Sequence, residues 1–203
     1  MAFARTVACY TALIACTTLT MPASAKIFTA TQATLAAAFN IAAGGDMIKL
    51  LGNFDSAYLA NRSFNGVVTL DSSQAVFSGT ITFDNVSQVA LNGGTFNIAA
   101  NGAYAKGIAI YGGFNIYFDN VTINGSANGL VDQFGIAANG THNLQVTHSK
   151  FNGLYSGIAA GALTGGFLAA NTFVGSTSDG IDISDSHGTT AAGNKLGAQI
   201  RIR

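Results

Sequence analysis

The chain has no tryptophan and no glutamate, a single proline and two cysteines in 203 residues, and only 9% of it is charged. Each shortage removes a class of protein. Without Glu and with few Lys, the residues that sustain long helices are missing, so a helical bundle is excluded. Nine Asp against nine Lys and Arg leave a formal charge of zero, so no electrostatic grip on nucleic acid is expected. Cys9 and Cys16 both precede residue 26. A chain cleaved there has no thiol or disulfide chemistry. What the sequence has in abundance is glycine (25) and asparagine (17), residues that suit tight turns with positive φ. Many short strands joined by turns are expected.

Residues 1–25 stand apart. Arg5, an apolar run from Val7 and the small residues Ala23-Ser24-Ala25 form a secretory signal peptide, too short and Thr-rich to make a transmembrane segment. Leu13-Ile14-Ala15-Cys16 also fits a bacterial lipobox, which would put a lipid anchor on Cys16. Cleavage after Ala25 is the favoured of the two. Either route gives a secreted, periplasmic or cell-surface protein, with 26–203 as its one domain.

That domain repeats. A Gly-Ile pair recurs at 107–108, 135–136, 157–158 and 180–181. Aligned on it, Phe118, Val146, Leu168 and Ala191 share one apolar column, and Ile123, Phe151, Phe173 and Leu196 another. Residues 80–96 fit the same frame through Ile81, Leu91 and Phe96. Each unit holds short pieces of period-2 alternation, which bury one face only when units stack. Three short strands per unit of 22–28 residues suit an all-β, right-handed parallel β-helix. A leucine-rich repeat has a similar period but needs Leu at several fixed positions, which these columns lack. Upstream, residues 29–46 read as a helix with Thr29 or Thr31 as N-cap, Leu35, Phe39 and Ala42 on one face, and Gly44-Gly45 as its end. This helix would cap the first coil, and "MIKLL" after it reads as a strand.

The order helix, Gly-Asp, apolar strand, then Gly-Ile coils with Asn at turns ("AANTF", "AAGNKL") resembles the pectate-lyase-like right-handed β-helix superfamily over about residues 27–203. The resemblance implies a fold. It leaves activity open, because lyases, hydrolases, epimerases, tailspikes and inert surface proteins share that fold. Six or seven coils is short for such proteins, and "QIRIR" is another strand with nothing to cap it. The chain is therefore expected to be a fragment, the other reading being an end covered by a partner.

Asp179, Asp182 and Asp185 are the densest acidic cluster. Residues 177–182 (Thr-Ser-Asp-Gly-Ile-Asp) are similar to the polygalacturonase motif Asn-Thr-Asp-Gly-x-Asp. That resemblance would make Asp179 a general acid or base with Asp182 as its partner. Thr177 and Ser178 replace the motif's Asn and Thr, and no Asp-Asp pair follows one coil on. Asp-Gly-Ile also suits an ordinary turn before a strand, so turn chemistry and solvation compete with catalysis. In the coil frame Asp182 faces outward above Ala159, Ala137 and Ala109. The column four residues after each Gly holds Tyr111, Asn139 and Ser184, taken with His187 as substrate contacts. Tyr111, Tyr117 and Tyr155 could stack on sugar rings. No metal site is assigned. Calcium is the cation the aspartates would attract if joined by Asn139 or Ser184, but spacing by three spreads them over both strand faces. His142 and His187 are two coils apart with Thr164 between, too far to share a zinc, and His148 has no acidic neighbour in sequence. Lys150 would serve as a lyase base only in a pocket that lowered its pKa. The expected function is carbohydrate-active, of the polysaccharide lyase or glycoside hydrolase type, on a polysaccharide laid along the coils. The alternative is a non-catalytic surface solenoid that binds glycans or a protein partner.

Overall fold

The computed structural model describes residues 24–99, 104–126, 132–176, 178–197 and 199–202. Nearly all of the segment expected to be a signal peptide, including Cys9 and Cys16, and Thr177 of the acidic motif lie outside these residues. The chain is an all-β parallel solenoid of about seven turns, 66% strand and 4% helix.

The first turns are irregular: β1 (Ile27–Ala30), α1 (Leu35–Ile41), β2 (Met47–Phe54), the long bent β3 (Ala57–Phe77), β4 (Ile81–Asn92) and β5 (Thr95–Asn97). Three strands per turn follow. They are β6 (Lys106–Tyr111), β7 (Phe114–Asp119) and β8 (Thr122–Asn124), then β9 (Phe134–Asn139), β10 (His142–Thr147) and β11 (Lys150–Asn152). The last are β12 (Ser156–Gly161), β13 (Thr164–Ala169), β14 (Thr172–Val174), β15 (Asp179–Ser184), β16 (His187–Ala192), β17 (Lys195–Leu196) and β18 (Gln199–Ile202).

Parallel pairing sorts them into three sheets. The first sheet stacks the start of β4 on β6, β9, β12, β15 and β18, so that Ile81, Ile108, Ile136, Ile158, Ile181 and Ile200 are in register. The second runs from the end of β4 through β7, β10, β13 and β16. The third joins β5, β8, β11, β14 and β17. The Gly-Ile alignment therefore predicts the register of three separate sheets.

A stack of rings fills the third side of the core. Phe54 lies 5.0 Å from Phe77, Phe77 4.3 Å from Phe96, and Phe151 4.8 Å from Phe173, all stacked, with Ile123 in register between Phe96 and Phe151. Burying each such ring contributes about 1.5–3 kcal/mol. The stack also explains the glycine of the Gly-Ile pair. A Cβ on Gly157 would sit 2.4 Å from the Phe173 ring, and one on Gly135 2.6 Å from Phe151. The ring from the third sheet occupies the space where a side chain would start. Leu196 keeps this register in the last turn but stays 38% exposed rather than joining the inward stack as expected.

The capping helix is shorter than its sequence pattern implies. It spans seven residues after Thr34, because residues 27–30 are taken up by β1. Thr31 accepts the Leu35 N–H through its carbonyl, and its own N–H donates to Thr34 Oγ1. Neither Thr29 nor Thr31 is the N-cap. The buried face is the expected one: Leu35, Ala38, Phe39 and Ala42 close the core, with Phe39 edge-on to Phe64 at 5.3 Å. Asp46 locks the approach to β2 by accepting the backbone N–H groups of Lys26 and Ala43, both at 2.8 Å. Those two donors hold its carboxyl below the ordinary range.

Candidate functional site

Three corners join the sheets, and the acidic cluster spans two of them. Leaving the first sheet, every turn has a residue with positive φ: Asn61, Asn85, Gly112, Gly140, Ala162 and Asp185. Asp185 thus occupies the left-handed corner that Asn, Gly and, at 162, Ala fill elsewhere, where Asp is tolerated. Asp182 lies mid-strand and half-buried, with Ala159 on one side and Arg201 on the other. Asp179 opens the strand and is enclosed, at 1% exposure. Its Oδ2 accepts the Ser178 hydroxyl at 2.9 Å, and Oδ1 faces the Arg201 guanidinium at 3.5 Å without a hydrogen bond. The three aspartates consequently have three environments: enclosed beside a cation, half-buried on the outer face, and set into a corner. Among the described residues, no three acidic, His or Cys side chains converge as metal ligands.

The outer face of the first sheet is a narrow strip. Its floor is Thr82, Ala137 and Ala159, followed by Asp182 and Arg201, while Ala109, in register between Thr82 and Ala137, is covered at 2% exposure. Beside it runs Asp84, Tyr111, Asn139, Gly161 and Ser184. Tyr111, Asn139 and Ser184 do share this column, and Tyr111 is 46% exposed. Tyr58 donates its hydroxyl to Asp84 at the other end of the strip, and that bond raises the phenol's pKa. His187 is not among them. It begins β16 on the second sheet, in register with Thr164 and His142. Tyr117 also belongs to the second sheet, while Tyr155 is half-buried edge-on to Phe134 at 5.9 Å.

Two partnerships escape a reading along the chain. Arg201 reaches Asp179 from the next turn. Asp119 lies one turn before His148, with His148 Nδ1 at 2.7 Å from Oδ1 and the Thr147 hydroxyl donating to the same oxygen at 2.7 Å. Partial burial pushes the Asp119 carboxyl up, but the His148 and Thr147 bonds outweigh it and leave the pKa lowered. His148 thus has an acidic neighbour after all. The repeat alignment holds that signal: Asp119 and Thr147 both fall twelve residues after their Gly. Reading each column one turn back would have found the pair.

Two cavities, of about 250 and 200 Å³, lie elsewhere: one lined by Lys49, Leu51, Asp71 and Gln74, the other between α1 and Tyr58. Neither includes an aspartate of the cluster. In comparisons with known proteins, the chain matches no family model, no curated protein and no solved structure.

Proposed function

We propose that the protein is a secreted β-helix of the pectate-lyase-like kind that binds an extended polysaccharide along its first sheet. The observation that supports this reading is the strip itself. Small side chains at Thr82, Ala137 and Ala159 lie beside the column of Asp84, Tyr111, Asn139 and Ser184, and their row ends at Asp182 and Arg201. Successive turns repeat about every 4.8 Å, so a ligand that also repeats meets similar groups at each step. Tyr111 supplies a face for a sugar ring, and the amide and hydroxyls supply partners for its oxygens.

Binding fits this geometry better than hydrolysis. Glycoside hydrolysis needs two carboxyl groups that both reach the sugar, and Asp179 is enclosed and occupied by Arg201. Turnover of the lyase kind is the second reading, favoured by the register of Asp182 with Arg201, which sets a base beside a cation on the outer face. One experiment addresses both. Affinity electrophoresis and turnover are measured on uronic-acid-containing and neutral polysaccharides, with and without calcium, for wild type, Tyr111→Ala and Asp182→Asn. Weakened retention of Tyr111→Ala on the uronic-acid-containing polymer supports binding at the strip; unchanged retention on that polymer removes it. Turnover that falls by about 10²–10⁴-fold in Asp182→Asn makes the protein an enzyme, and absence of turnover in wild type leaves it a binding module.

A further inference from the structure

The second sheet carries a different outer face. Tyr117, Gln145 and Phe167 are in register on successive turns, so an aromatic, an amide and an aromatic lie in one line. The two rings are two turns apart, about 10 Å by the strand spacing. Phe167 is 43% exposed, and Phe114, on the turn that carries Tyr117, is 42% exposed. Polar rows flank the line. On one side Asn143 Nδ2 donates to Asn115 Oδ1 at 2.7 Å, and Gln145 Nε2 donates to Asn143 Oδ1 at 3.3 Å. On the other side stands the Asp119–Thr147–His148 cluster.

We propose that this face is a second polysaccharide-binding surface, for a neutral glycan, independent of the strip on the first sheet. Three features select that ligand. The rings are planar, spaced along the solenoid axis and separated by an amide, which suits the apolar faces and hydroxyls of alternate sugar units. The flanking amides and carboxylate are already held by hydrogen bonds, so little ordering is left to oppose binding. β7, β10, β13 and β16 contain no Lys or Arg, and the acidic side chain among them is Asp119. A uronate polymer would meet a carboxylate and no permanent cation there, whereas a neutral polymer meets donors and acceptors.

The test is affinity electrophoresis of the full chain in gels containing hydroxyethylcellulose, galactomannan, xylan or polygalacturonate, with Tyr117→Ala and Phe167→Ala beside wild type and Tyr111→Ala. Circular dichroism checks that the variants keep the fold. Retardation by at least one neutral polymer is expected, weakened about tenfold by each second-sheet substitution and retained in Tyr111→Ala. If Tyr111→Ala loses the neutral polymer while Tyr117→Ala and Phe167→Ala keep it, the second surface is refuted and the first-sheet reading stands. Retardation by polygalacturonate alone, or by no polymer, also overturns the proposal. Sedimentation covers the other occupant: a wild-type dimer that Phe167→Ala turns into monomer would make this face a contact between copies.

Discussion

The corner between the second and third sheets and the corner between the third and first are built in opposite ways. At the former the turn is short, and Ser149 and Asn171 within it are buried and hydrogen-bonded. Asn171 donates to the Val146 carbonyl at 2.9 Å and accepts the Ser149 N–H at 2.9 Å, while Asn194 repeats the pattern one turn on with Leu168 and Asn171. At the latter the connection between strands varies from 98–105 and 125–133 down to 153–155. There a buried carboxylate depends on a half-exposed arginine of the next turn. The first corner fixes the coil; the second tolerates insertion and brings polar groups to the strip. Rigidity on one side of the solenoid is what permits variation on another.

The largest test of that contrast is Asn171→Ala. It leaves the Val146 carbonyl and the Ser149 N–H buried without partners, at about 1–3 kcal/mol each. Chemical denaturation should therefore show a loss of about 2–5 kcal/mol. A loss under about 1 kcal/mol would mean that the corner holds without its amide ladder.

A smaller effect is expected at the open corner. Arg201→Met removes the cation facing Asp179 and should cost about 1–3 kcal/mol. Adding Asp179→Asn should recover most of that loss, since a neutral amide needs no counter-charge. A double variant as unstable as Arg201→Met would show that the arginine acts through packing and not through charge.

The smallest effect concerns pH. The Asp119 carboxyl is lowered in the fold, despite partial burial, by the bonds from His148 and Thr147. Its contribution is fully present above the unfolded-state value of about 3.9 and is lost as pH falls through the lower folded value. Because both side chains are largely exposed, it should stay below about 1 kcal/mol. Wild type should exceed Asp119→Asn in urea midpoint at pH 7, and the gap should narrow steadily as pH falls below about 3.9. A gap that persists in acid would assign the difference to something other than this ionisation.

Much of the fold is legible in the sequence because a solenoid repeats its constraints. Gly157 and Phe173 are 16 residues apart, yet the ring excludes any side chain at the glycine, so both positions recur together in each turn. The capping helix is less legible, since Thr29 and Thr31 look like caps and nothing local shows that β1 pairs with β2. At the candidate sites, the column of Tyr111, Asn139 and Ser184 follows from the alignment. The enclosure of Asp179 does not. It depends on Arg201, a turn away, and on how deeply the first residue of a strand sits, which periodicity leaves undetermined. Phe114 and Phe167 escape for the opposite reason: an apolar residue in a strand reads as core, and only the register turns it to the outside.

The parallel ladders have a mechanical consequence. Hydrogen bonds between turns point along the solenoid axis, and residues 27 and 202 belong to opposite ends of the stack. Tension applied between those ends loads the inter-turn ladders in series, so the weakest turn peels away first while the rest stays folded. Each released turn frees 22–28 residues, or about 70–100 Å of extended chain. Under load the protein would lengthen in discrete steps of one turn, a tether with a built-in unit of extension.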